Sequence, residues 1–312
     1  MSIGEIDISW QSLRRIVQDW AGTSAELSEF VPLHGGQINT TLELHLTGAD
    51  KPKAVVKVSP HRVDRSYERE AYQLTLLKKF GLPVPEVYQW KIGSLDDPVS
   101  YLLIEHIEGC DLGRAKKQCT AEEFDALQCE LAEVVAAMHA QTSEQYMRVM
   151  EGGQTYATWP AFYHDVYDTI WHEAQQDPNL NKHCRKQIGK VHEKLEQLLA
   201  HSDKPRLVHW DIWNTNVMCK QNGDGKWRIA AMLDPNCKFA HAEAEIAYME
   251  LFQTVTPAFM KAYQQHHKLP PEYHKFRKPI YQLYPMINHL RLFGENYVKP
   301  LEAAVEKTSH LV

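Results

Sequence analysis

The stretch from Leu207 to Pro235 restricts the fold more than any other part of the chain. His209, Asp211 and Asn216 stand in the order His-x-Asp-x-x-x-x-Asn, two apolar runs then flank Asn222-Gly223-Asp224-Gly225, and Leu233-Asp234-Pro235 closes the stretch. Asn-Gly and Asp-Gly pairs are strong hairpin signals, because their residues accept the positive φ that tight turns between strands need. A hairpin that opens after Asn216 and closes before Asp234 returns its last residue to its first. The spacing therefore predicts that Asn216 and Asp234 converge beside the loop carrying Asp211. Phosphoryl transfer uses such a set: a carboxylate to accept the proton of an attacking hydroxyl, and an amide oxygen with a second carboxylate to hold Mg²⁺ on nucleotide phosphates. Asp211, Asn216 and Asp234 fill those roles in order. Asp and Asn also favour turns in their own right, so this loop alone leaves ordinary turn chemistry open.

The residues upstream narrow the choice. Leu42, Leu44 and Leu46 alternate with Glu43 and His45, a period-two pattern that predicts a half-buried strand. Ala54 to Val58 is short and β-branched and predicts a second, paired strand, with Lys57 as its one charge. A helix is expected from about 64 to 80, where Tyr67, Ala71, Leu74 and Leu77 recur at helical spacing before Gly81-Leu82-Pro83 stops it. A lysine inside an apolar strand is costly unless paired, and Glu70 on the inward face of that helix is the expected partner, with Glu68 its rival. Kinases use such a strand Lys on the phosphates and such a helix Glu to position it. An edge-strand lysine in water is the alternative. Gly35 and Gly36, ahead of the first of these strands, could bring backbone N–H groups close to phosphate oxygens, or simply form a turn. No G-x-x-x-x-G-K-[ST] sequence is present, which excludes a Walker-type site.

Past Gly109 the pattern becomes helical. Thr120-Ala121-Glu122-Glu123 has the form of a capping box, and Phe124, Leu127, Leu131, Val134, Val135 and Met138 line one helical face behind it. Further helices are expected over about 160–174 and 184–199, and another strand over 101–104. The layout is α+β: residues 1–107 form a small strand-rich lobe, 108–312 a larger helical one, with a connection near 104–109. Ligands favour the crevice between two such lobes. The length of 312 residues agrees with about two compact units.

A formal net charge of -6 argues against broad attraction to nucleic acid or anionic membrane. With no signal-peptide pattern and no run of about 18 uncharged apolar residues, a cytoplasmic protein is expected. The six cysteines are far apart and read as reduced thiols, and the 17 histidines lack any paired metal-ligand spacing.

Taken together, these motifs resemble the aminoglycoside-phosphotransferase-like kinases and, within them, the fructosamine kinase family. The likeness spans nearly the whole chain, from Gly35-Gly36-Gln37-Ile38-Asn39 through Val56-Lys57-Val58, Glu68-Arg69-Glu70-Ala71, Asp211-Ile212-Trp213-Asn214-Thr215-Asn216 and Leu233-Asp234-Pro235 to Asn288-His289-Leu290 and Leu292-Phe293-Gly294. The resemblance implies a bilobal protein-kinase-like fold, ATP and Mg²⁺ as cofactors, and transfer of the γ-phosphate to a hydroxyl of a small molecule, most simply a fructosamine or other ketoamine. It further implies adenine against the Glu105 carbonyl and Ile107 N–H, His209 bracing the catalytic loop, and Glu245 where the family has an Asp anchoring that loop.

Two positions depart from the family pattern: Trp210 stands where a Gly is usual, and Glu245 is one methylene longer than Asp. Neither removes a residue that touches metal or moves a proton. Trp159, Trp213 and Tyr297, with Phe162 and Tyr163, are candidate walls for the acceptor, since aromatic faces suit sugars, although aromatics at helical spacing also build cores. Asp165, Glu243 and Glu295 could attract an amine-bearing acceptor or form a solvated face. An aminoglycoside-type phosphotransferase and a catalytically weak nucleotide-binding protein of the same fold are the alternatives. A protein kinase is disfavoured because no Ala-Pro-Glu segment follows Asp234.

Overall fold

The computed structural model describes residues 8–33, 40–59, 65–200 and 203–312. Up to Gln118 the elements are α1 (Trp10–Ala21), β1 (Glu26–Pro32), β2 (Thr40–Thr47), β3 (Lys53–Ser59), α2 (Ser66–Lys79), β4 (Val87–Lys91), β5 (Ser100–Glu105), β6 (Cys110–Asp111) and α3 (Leu112–Gln118). Then come α4 (Ala121–His139), β7 (Tyr146–Arg148), β8 (Thr155–Tyr156), α5 (Trp159–Ala174), α6 (Lys182–Glu193), α7 (Leu195–Leu198) and β9 (Arg206–Val208). A hairpin of β10 (Val217–Gln221) and β11 (Trp227–Met232) precedes β12 (Lys238–Ala240), α8 (Ala242–Leu251), α9 (Pro257–His266), α10 (Lys278–Phe293) and α11 (Val298–Glu306). The described residues pack as two compact units: those up to Gln118 together with Thr215–Pro235, and Cys119–Asn214 together with Asn236–Val312.

The first unit is built on a five-stranded antiparallel sheet in the order β1-β2-β3-β5-β4. The alternation read from the sequence sets its faces: Leu42, Leu44 and Leu46 are buried while the residues between them are half-exposed. Leu13, Ile16 and Val17 of α1 pack against that inner face with Val56 and Val58. On α2, Tyr67, Ala71, Leu74 and Leu77 are buried, as their spacing predicts. The β10–β11 hairpin adds β6 along its edge, with Cys219 opposite Cys110. Gly109 is required just before that pairing. Its φ is +129°, and a Cβ there would lie 2.1 Å from the Cys219 carbonyl oxygen.

The second unit is mostly helical around a small sheet in the order β8-β7-β12-β9. α4 starts in the expected capping box: the Glu123 N–H donates to Thr120 Oγ1 at 3.2 Å, and the Thr120 N–H donates to the Glu123 carboxylate at 2.8 Å. A cluster of Trp159, Phe162 and Tyr163 from α5 with Tyr146 and Tyr281 forms much of the core. Among the described residues no helix is long and apolar enough to cross a membrane.

Candidate active site

Lys57 is on a central strand and not an edge. β3 runs between β2 and β5, with Lys57 opposite Thr41 on one side and Leu102 on the other. The residue is 9% exposed, so its ammonium needs partners. Among the described residues it has two: Nζ donates to Glu70 Oε1 at 2.6 Å and forms a second ion pair with Asp234. Burial alone would lower the Lys57 pKa, but the Glu70 and Asp234 carboxylates outweigh it and hold the ammonium above its ordinary value. Glu70 moves the other way from most paired carboxylates: burial and nearby Asp234 raise it in spite of Lys57. Glu68, the rival partner, instead accepts from Arg65 at 2.8 Å on the exposed side of the helix.

Asn216 and Asp234 close the two ends of the β10–β11 hairpin. The Leu233 N–H donates to the Asn216 carbonyl at 2.8 Å, and the Met232 N–H donates to the Pro83 carbonyl, also at 2.8 Å, tying this end of the hairpin to the segment after α2. Asp234 has φ +56°, a left-handed conformation that Asp tolerates better than most non-glycine residues and that aims its side chain at Lys57. The donor set, one carboxylate and one amide oxygen, is hard and all-oxygen, and fits Mg²⁺. Glu105 ends β5, its N–H donating to the Glu86 carbonyl at 2.9 Å while its carboxylate accepts the Glu86 N–H at 3.1 Å. Ile107 follows in the connection, half-buried. Gly35 and Gly36 lie outside the described residues.

The second unit holds the proposed proton acceptor. β9 leads into His209, which is buried, and Trp210 then takes φ +71°, left-handed for a bulky residue. That conformation is the physical reason a glycine suits this position. Trp210 is held from three sides: its N–H donates to Glu245 Oε1 at 2.5 Å, its ring meets Tyr284 at 5.9 Å, and the Lys238 ammonium lies 4.5 Å from the ring centre. The His209 N–H donates to the other Glu245 oxygen at 3.2 Å. The extra methylene of Glu245 thus leaves the loop amides within its reach. Two partners escape a reading of the motifs. His139 on α4 lies 2.9 Å from Glu245 Oε2 and 2.7 Å from the Tyr263 hydroxyl, all in the interior. Tyr248 on α8 donates its hydroxyl to Asp211 Oδ1 at 2.5 Å. Their only sequence signal is position, since Tyr248 is one helical turn beyond Glu245.

The aromatic walls divide. Trp159 is fully buried and its indole N–H donates to the Tyr281 hydroxyl at 3.0 Å, so its ring offers no face to a substrate; Phe162 and Tyr163 share that core. Burial of a large apolar ring on the inward side of α5 decided this in favour of packing. Trp213 and Tyr297 remain half-exposed. Two of the acidic candidates are committed to arginines: Asp165 to Arg148 at 2.5 Å, and Glu243 to Arg277 through two bonds of 2.6 Å. Glu295 is exposed. His164 and Asp168, one turn apart on α5, join His192 of α6 in a hydrogen-bonded brace through the two oxygens of one carboxylate.

The chain matches the family model for fructosamine kinase over residues 9–310. A probable ketoamine kinase of Enterococcus faecium is 27% identical over 286 residues, covering 88% of this chain and 94% of that protein. The probable ketoamine kinase YniA of Escherichia coli is 25% identical over 307 residues, covering 96% and 98%. Among solved structures, a fructosamine-3-kinase candidate from Thermobifida fusca superposes with a TM-score of 0.75 at 22% identity, covering 97% of this chain and all of that one (100%). An aminoglycoside phosphotransferase in complex with AMP-PNP and hygromycin B gives a TM-score of 0.66 at 18% identity, covering 96% and 99%. These superpositions establish the kinase-like α+β fold.

Proposed function

The chain belongs to the fructosamine kinase family, and from that premise we propose that it transfers the γ-phosphate of ATP to a hydroxyl of a ketoamine-type sugar amine. The observation that carries this reading is Lys57, a buried strand ammonium held between Glu70 and Asp234. Such a group is costly in the interior and is useful where phosphate oxygens must be bound. Lys57 contacts the phosphates and Glu70 fixes its reach. Asn216 and Asp234 would hold Mg²⁺, which neutralises charge on the phosphates when the nucleotide is bound. The Glu105 carbonyl and Ile107 N–H are assigned to adenine, and Gly35 and Gly36 to the cover over the phosphates.

Asp211 accepts the proton of the acceptor hydroxyl. His209 and Glu245 support its loop, and chain continuity keeps it within five residues of Asn216. Nucleotide use is supported by the AMP-PNP held in a neighbour of the same fold, and the ketoamine acceptor by the names of the curated relatives. Trp213 and Tyr297 are the remaining candidates for the acceptor wall.

A proton-accepting side chain contributes roughly 10²–10⁴-fold. Asp211→Asn should therefore lower turnover at least about 100-fold while nucleotide affinity survives. A coupled ATP-consumption assay across fructosamines, ribulosamines, aminoglycosides and amino alcohols, with mass spectrometry of the product, reads both points. Undiminished turnover in the variant overturns the role of Asp211, and phosphorylation confined to aminoglycosides overturns the ketoamine assignment.

A further inference from the structure

We infer that Tyr248 is a positioning residue for Asp211, and that one face of α8 clamps three consecutive residues of the loop, His209 and Trp210 by their amides and Asp211 by its carboxylate. The inference rests on the proposed role of Asp211. Glu245 and Tyr248 are three residues apart in α8 and so project from the same side of the helix. Glu245 takes the His209 and Trp210 N–H groups on its two oxygens, at 3.2 and 2.5 Å, while the Tyr248 hydroxyl donates to Asp211 Oδ1 at 2.5 Å. The positive φ of Trp210 lies between these contacts and turns the chain so that two successive amides and the next side chain all meet one helix.

The helix face is itself fixed. Glu245 is 1% exposed and is engaged by His139, which also meets the Tyr263 hydroxyl. Arg277 holds Glu243 in the first turn through two bonds of 2.6 Å. The Tyr248 ring packs against Phe252 at 4.7 Å. Burial and the Asp211 charge push the Tyr248 hydroxyl far above its ordinary pKa, so it stays a donor at every working pH. The other ionisable groups facing it are Glu245 on its own helix and Tyr297. His289 of α10, 4.8 Å from the Tyr297 ring, is kept below its ordinary value by burial.

A hydroxyl donating to a carboxylate does two things. It fixes the carboxylate plane, so that the acceptor hydroxyl meets an oxygen of defined direction. A donor also favours the ionised form of the carboxylate it meets, which is the form a proton acceptor needs. Tyr248→Phe removes only the donor and keeps the ring. The expected result is a fall of about tenfold in kcat with the KM for ATP unchanged, and an acid limb of the kcat/KM profile displaced to higher pH. The sign follows from the base role, because a carboxylate that protonates more readily loses activity at higher pH. Tyr248→Gln restores a donor and should move the limb back.

The assay uses the full chain with whichever acceptor the wild type phosphorylates best. Wild-type inactivity on every acceptor overturns the kinase reading, and the inference with it. An active wild type whose pH profile coincides with that of Tyr248→Phe overturns the inference alone. Equal losses in both variants with an unmoved acid limb overturn it too, since they would show only a packing role.

Discussion

Trp210 places the largest side chain on a backbone conformation that favours none. At φ +71° a non-glycine residue is strained by about 1–2 kcal/mol, and the loop tolerates this because Glu245, Tyr284 and Lys238 hold the amide and the ring. Two substitutions separate strain from packing. Trp210→Ala loses the ring and keeps the strain, while Trp210→Gly loses the ring and releases it. Chemical denaturation should therefore find the glycine variant more stable than the alanine variant by about 1 kcal/mol, the reverse of the order in a helix or strand. If alanine is the more stable of the two, the left-handed backbone is not what makes this site demanding. The same residue shows how legible single positions were. The motif spacing singles out Lys57, Asp211, Asn216 and Asp234 as candidates because polar and charged residues in fixed order beside apolar runs have few other uses. Trp159 was ambiguous, because a ring at helical spacing serves a wall or a core equally well, and only its complete burial assigns it to the core.

Among the elements, the β10–β11 hairpin was readable down to its turn, since Asn-Gly and Asp-Gly require the backbone that the turn supplies and the observed pairing runs from Val217 opposite Met232 to Gln221 opposite Trp227. Lengthy periodic elements such as β2, α2 and α4 were equally clear. The strand pattern read from the sequence starts at Thr41 and does not reach α1 or β1, although Ser9 caps α1 and its Leu13, Ile16 and Val17 mark one buried face. The strands β6, β7, β8, β9 and β12 are two or three residues long, too short for any periodicity to show. They exist because long-range partners offer them hydrogen bonds. Gly109 marks one such place: a side chain there would collide with the Cys219 carbonyl, and its φ of +129° is hostile to L-residues. Gly109→Ala should separate β6 from β10 and cost about 2–3 kcal/mol by the combined effect of strain and lost pairing. A denaturation midpoint equal to wild type would show that the segment gives way without loss.

For the molecule as a whole, the testable consequence is linkage between nucleotide and stability. A ligand that binds only the folded chain adds about 2.7 kcal/mol at 100 times its dissociation constant. Thermal unfolding should therefore shift upward with ATP and Mg²⁺, and the shift should collapse with a chelator and in Lys57→Met. An equal shift in Lys57→Met would detach the nucleotide from this residue. Net charge is no obstacle to the proposed function, which calls on one buried cation paired with carboxylates and not on a basic surface.

The sequence by itself determined the fold class and put forward the candidate chemical groups, since hydrophobic period, turn chemistry and motif spacing are local and leave their imprint within a few residues. Tertiary structure decided the partnerships. Lys57 meets Asp234 across 177 positions, His139 meets Glu245 across 106, and Tyr248 meets Asp211 across 37. No local pattern encodes such pairs, because which buried charge finds which partner depends on how distant elements pack, and packing selects among the partners that the sequence leaves open.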